Sequence, residues 1–217
     1  MKKIDNYKFI STTKGDKGTS RNYSNEVFPK SDILFDTLGT IDELSSILGL
    51  VYHYSNAKED IRHIQKTLQN ISSLIATSDE SVKRDKLVKI TDEDILYLES
   101  LEQGLLAKSS ILPEFVLPGS DTSKEGAFYD LARSVARRSE RIVVRFIEKN
   151  KRTDLDFCLK YLNRLSDLLF IYARSMAWND WYINVIFMFM FGTNNSLIYY
   201  NYKQYLMKIY MEKSVIL

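Results

Sequence analysis

Cysteine is almost missing from this chain. Cys158 is the only one in 217 residues, which excludes an internal disulfide framework and a cysteine-rich metal site and suits a reducing compartment. Two histidines, His53 and His63, argue equally against a multi-histidine metal centre. Three prolines and a 45% hydrophobic composition argue against a disordered or collagen-like chain. Neither sign of charge dominates: 30 Lys and Arg stand against 28 Asp and Glu, so nothing draws the whole molecule to nucleic acid or an anionic membrane. Any basic site must be local. Long apolar runs are missing too, since the longest, Val185 to Phe191, falls far short of the ~20 residues that cross a bilayer. The opening MKKIDNYKFIS has no apolar core for a secretory signal and is a poor transit peptide, being short, arginine-free and interrupted by Asp5. These features predict a soluble intracellular protein of one domain, or at most two small ones.

What is present is helical periodicity. Apolar residues recur at 3.6-residue spacing in five segments: about Asp36 to Tyr54, Lys58 to Thr77, Thr91 to Leu105, Lys124 to Lys149 and Thr153 to Trp178. Thr91-Asp92-Glu93-Asp94 resembles a helix-capping sequence. No segment alternates convincingly as a strand before the C-terminal tail. The expected fold is an all-α bundle of five helices with an irregular N-terminal segment.

Two polar stretches break the pattern. Residues 10–35 contain Thr12-Thr13-Lys14-Gly15-Asp16-Lys17-Gly18-Thr19-Ser20, whose glycines, hydroxyls and lysines suit a wrap around phosphate oxygens. The order is not that of a Walker A loop, and a flexible arm would carry the same composition. Residues 109–123 place Phe115-Val116-Leu117 between two prolines, on the kind of loop where a rigid scaffold builds sites.

The fourth segment carries the most chemistry. Arg133, Arg137 and Arg141 stand four apart, with Glu140 in the same arc, while Leu131, Val135, Ile142 and Phe146 fall opposite. Arginine suits a polyphosphate because its planar fork gives bidentate, charge-assisted bonds. A solvated face or inter-helix salt bridges would produce the same spacing. Asp42, beside the stripe residues Ile41 and Leu44, sits at a buried edge where a carboxylate wants a cation; an arginine of the fourth helix is the natural partner. Ordinary helix-start acidity explains it as well. Asn163 fits an adenine or ribose edge, or an inter-helix hydrogen bond.

Taken in order, TTKGDKGTS, FPKSDILFDTLGTIDELSSILGL, FVLPGS, LARSVARRSERIVV and YLNRLSDLLFIYAR resemble the ATP:corrinoid adenosyltransferases of the PduO type, the animal mitochondrial enzyme included. The five strings cover most of residues 10–174. The resemblance implies a five-helix homotrimer binding ATP, with Mg²⁺, and cob(I)alamin between subunits. It implies transfer of the 5′-deoxyadenosyl group to cobalt with release of triphosphate, in concert with a reductase and an adenosylcobalamin-dependent mutase. By motif position, Thr12, Thr13, Lys14, Gly15, Ser20, Lys30, Arg137, Arg138, Ser139, Glu140, Arg141 and Asn163 would bind ATP. Asp42 and Arg133 match a salt-bridged pair that positions the corrinoid, and Phe115 matches the aromatic that displaces the lower axial ligand of cobalt. With Arg137 these three make the expected catalytic set, and no resident metal site is implied.

The chain also departs from the family pattern. Thr13 and Lys14 are exchanged relative to the usual order, Leu34 replaces a basic residue common in bacterial members, and Asp130 stands where a histidine is common. The loop between Phe115 and Arg133 is about two residues longer than the family pattern. These changes motivate a second possibility, an ATP- and corrinoid-binding cofactor chaperone without efficient turnover. The basic fourth helix alone would also suit nucleic acid, but near-neutral net charge and the absence of interleaved aromatics argue against it. The expected division is a bundle at 1–178 and an atypical tail at 179–217, dense in Tyr, Phe, Ile and Asn. That tail reads either as an added amphipathic segment or as a misjudged gene end. The animal-type pattern points to mitochondria if the source is eukaryotic, and otherwise the cytoplasm is expected.

Overall fold

The computed structural model describes residues 6, 7, 11, 13–109, 111, 115–119 and 123–191, with side chains as far as Met176. Five α-helices account for most of it: α1 (Ile33–Tyr54), α2 (Lys58–Ile75), α3 (Asp92–Leu106), α4 (Lys124–Asn150) and α5 (Asp156–Phe191). A short 3₁₀ turn, Arg84–Lys86, lies between α2 and α3. The chain divides after Trp178 into two units, and every side chain discussed below belongs to the first. Among the described residues no helix is long and apolar enough to cross a membrane.

Local chemistry sets the helix starts. Asp32 caps α1 by accepting from the Leu34 amide at 2.9 Å, so the helix begins before the expected Asp36. Thr91 and Asp94 form the capping box anticipated from their spacing, with the Thr91 amide donating to Asp94 Oδ2 at 2.9 Å. Ser123 caps α4 through the Gly126 amide. Helix α5 runs past the expected end at Trp178 to Phe191, because no glycine or proline interrupts residues 179–191.

One element went unseen in the sequence. Thr19–Arg21 (β1) and Val27–Pro29 (β2) pair antiparallel, with Ser20 opposite Phe28. Three-residue strands carry too little alternation to register as a pattern. Their connection is closed by Asn22, whose side chain accepts from the Glu26 amide at 2.9 Å, and by Asn25 in the left-handed region at φ 69°. The hairpin docks on the C-terminal end of α2: the Tyr23 amide donates to the Ala76 carbonyl (2.8 Å) and the Ser78 amide donates to Ser24 Oγ (3.1 Å).

A second clamp closes the same end of α2. Arg84 and Arg152 both donate to the carbonyls of Leu74 and Thr77, and both pair with Asp154. The carbonyls at the end of α2 and in the turn after it are thereby held from two loops at once. Burial, and then Arg84 nearby, push the Arg152 guanidinium below its ordinary pKa.

The core joins all five helices. Leu44, Leu48 and Val51 of α1, Leu68 and Ile71 of α2, Leu98 of α3, Val143 of α4 and Leu165 and Leu169 of α5 are fully buried. Helix α4 packs on α1 through Ala132, Val135, Ala136, Ser139 and Val143. These small residues let two backbones approach, which corrects the expected orientation of α4: Leu131, assigned to the packed side, is 46% exposed. Large apolar residues are a poor guide where a close helix crossing selects small ones.

Candidate active site

The N-terminal loop is held by the hairpin. The Lys30 amide donates to the Gly18 carbonyl at 2.8 Å, the Gly18 amide to the Gly15 carbonyl at 3.2 Å and the Asp16 amide to the Thr13 carbonyl at 3.2 Å. These bonds curl residues 13–18 against the end of β2. A β-carbon placed on Gly15 would stand 2.9 Å from Lys30 Nζ, so the lysine head lies directly over the glycine. Thr13 sits in the left-handed region at φ 58°, and Gly18 at φ 76°. A β-branched residue in that region is strained, and such strain concentrates at ligand clamps. Lys14, Lys17 and Lys30 are exposed, and Ser20 is half-buried on β1. Thr12 lies outside the described residues.

Helix α4 presents the second group. Arg137 and Arg141 point to solvent and, among the described residues, make no ion pair. Arg138 pairs with Glu43 of α1. The expected partner, Asp42, is exposed and forms no ion pair among the described residues. The reason is helical phase: Asp42 and Glu43 are 100° apart, and it is Glu43 that faces Arg138. Glu140 accepts from Asn163 Nδ2 at 3.0 Å, the inter-helix bond that was one of the two readings of Asn163, and the amide remains exposed. Ser139 differs from its neighbours. It is 1% exposed, and its hydroxyl donates to the Val135 carbonyl at 3.0 Å and the Thr40 carbonyl at 3.3 Å, inside the α1–α4 packing.

Arg133 and Phe115 stand apart from that face. Arg133 Nε lies 3.5 Å from Asp130 Oδ1, an ion-pair distance, and makes no hydrogen bond within the described residues. The Phe115 ring is fully exposed on its loop. Asp42 lies on a groove of about 600 Å³ between α1 and α2, together with Ser45, Arg62, Gln65 and Lys66. No three of His, Cys, Asp and Glu converge as metal ligands among the described residues. Cys158 is inert, since burial pushes its thiol up to about 12.

The residue that sequence reasoning passed over is Arg174. It is 6% exposed and pairs with Asp130, itself 4% exposed. The partners are distant in sequence and carry no joint pattern, so only the fold brings them together.

A five-helix bundle with a lysine held over a glycine loop and exposed arginines on one helix fits a class of proteins that bind polyphosphates. Residues 10–176 match the family model described as cobalamin adenosyltransferase. The human corrinoid adenosyltransferase MMAB is 37% identical over 79% of this chain and 70% of its own length. The corrinoid adenosyltransferase of Citrobacter freundii is 35% identical over 76% of this chain and 93% of its own length. A variant of the PduO-type ATP:corrinoid adenosyltransferase from Lactobacillus reuteri, complexed with cobalamin and ATP, superposes with a TM-score of 0.70 at 25% identity. It covers 78% of this chain and 93% of that one. The chain belongs to the cobalamin adenosyltransferase family.

Proposed function

We propose that this protein transfers the 5′-deoxyadenosyl group of ATP to cob(I)alamin, forming adenosylcobalamin and releasing triphosphate. The carrying observation is the exposed pair Arg137 and Arg141 beside the oriented Asn163 amide, in a chain matched along residues 10–176. Cobalt(I) brings its own electron pair to C5′; a cobalt–carbon bond forms as the C5′–oxygen bond breaks, and the bonding pair leaves on triphosphate. Such a nucleophile needs no general base. The protein's task is to align C5′ and to stabilise the leaving charge.

Lys14, Lys17 and Lys30 supply mobile cations and the backbone of residues 15–18 supplies amides, while Arg137 and Arg141 supply planar forks. Mg²⁺ enters as part of the nucleotide, its shell completed by phosphate oxygens and water. Glu140 holds the Asn163 amide by one N–H and leaves its oxygen for the nucleoside. Phe115, a ring without a metal-binding atom, fills the lower corrin face and keeps water and ligands from cobalt. Its full exposure suits a site completed by corrinoid and a neighbouring copy in a homotrimer. Asp42, on an open groove, then meets its cation across that interface rather than within the chain. A one-electron reductase must supply cobalt(I), and an adenosylcobalamin-dependent mutase consumes the product.

Phosphorus NMR of the reaction mixture tests the proposal. Triphosphate should accumulate only when reduced cobalamin is present, one per adenosylcobalamin formed. Bound ATP that yields no triphosphate would instead establish a cofactor-binding chaperone.

A further inference from the structure

We propose that Asp130 is a positioning residue that fixes the Phe115 loop, and with it Arg133, to the bundle; the inference rests on the function proposed above. Asp130 lies in the second turn of α4, and its carboxylate is 4% exposed. One oxygen, Oδ2, accepts from the Gly119 amide at 3.1 Å and pairs with Arg174 of α5. The other, Oδ1, stands 3.5 Å from Arg133 Nε. A single side chain thus ties a loop to two helices and to a candidate corrinoid residue.

The geometry of the loop makes that tie matter. Gly119 is left-handed at φ 76° and follows Pro118, the order of a type II turn. Proline fixes one dihedral of the turn and the Asp130 bond fixes its amide, so the short, stiff stretch back to Phe115 is aimed from a buried anchor. A buried carboxylate needs a partner, and Arg174, itself buried, supplies the charge. Arg133 is then the outermost member of the cluster, its Nε facing Asp130 while its side chain remains 26% exposed.

The test uses the full-length protein and two substitutions. Asp130→Asn keeps the volume and one acceptor, and Asp130→Ala removes both. Hydrogen exchange read at the Gly119 amide should quicken by about tenfold in Asp130→Ala and by less in Asp130→Asn, with α2 and α3 amides unchanged. In turnover, KM for cobalamin should rise about tenfold in Asp130→Asn while KM for ATP stays within about twofold. Unchanged Gly119 exchange in both variants overturns the inference, as does an equal rise of both KM values, which marks a merely structural residue. If the native protein turns nothing over, the functional proposal fails alone, and Gly119 exchange still decides whether Asp130 anchors the loop.

Discussion

Replacing Gly15 by alanine tests how the N-terminal loop holds ATP. The added methyl would lie 2.9 Å from Lys30 Nζ, 3.1 Å from Lys30 Cε and 3.6 Å from the Thr19 carbonyl oxygen. The carbonyl distance is ordinary contact, so the backbone stays and the flexible lysine end gives way. Restoring normal separation moves the ammonium by roughly 0.5–1 Å, enough to spoil a charge-assisted bond to phosphate. Such a bond is worth about 1.5–3 kcal/mol, so ATP should bind roughly 10- to 100-fold more weakly. The fold should not suffer, because alanine also removes about 0.4–1 kcal/mol of unfolded-state entropy. Calorimetric titration with Mg-ATP, without cobalamin, measures the effect free of turnover. If Gly15→Ala acts through Lys30, the double variant with Lys30→Ala binds ATP no worse than Lys30→Ala alone. Additive losses, or an unchanged affinity in Gly15→Ala, would refute it.

Other expectations follow from the same contacts. Arg137→Ala should lower kcat/KM for ATP about 10- to 100-fold with no change in melting temperature, since Arg137 makes no ion pair among the described residues. Asp154→Ala strands Arg84 and the buried Arg152, and should cost about 2–3 kcal/mol, a fall of about 5–10 °C by calorimetry. Asp32 sits below the usual carboxylate range because its carboxylate accepts the Leu34 amide, with Lys149 helping and partial burial opposing. Its stabilisation is present at neutral pH and is lost as pH falls; Asp32→Ala should be about 1 kcal/mol less stable at pH 7, with the gap closing below about pH 4 in urea titrations. Cys158 should resist thiol reagents at neutral pH until the protein unfolds, because its thiol is buried and pushed up to about 12.

The helices were legible because each carries its own signal. Periodicity marked five segments, and Thr91 with Asp94 announced a helix start that the capping box then supplied. The hairpin at 19–29 was illegible, since its stability comes from docking on α2 rather than from strand pattern. The arginine spacing on α4 gave the exposed positions 137 and 141, but hydropathy placed Leu131 inside and missed that Ala132, Ala136 and Ser139 face α1. Ser139 looks like a ligand residue by position and is a packing hydroxyl by geometry. Asp42 and Glu43 show the limit of a one-residue argument: adjacent acids of equal charge differ in which one meets α4. The pair of Asp130 and Arg174 joins α4 to α5 across a long sequence gap, where no local pattern connects the partners.

The most direct measurement is the visible spectrum of an anaerobic mixture of the full-length protein, Mg-ATP and chemically reduced cobalamin. The expected result is that the cob(I)alamin bands give way to those of adenosylcobalamin, with a rate that collapses in Arg137→Ala. A cob(I)alamin spectrum that persists while ATP is bound would contradict it.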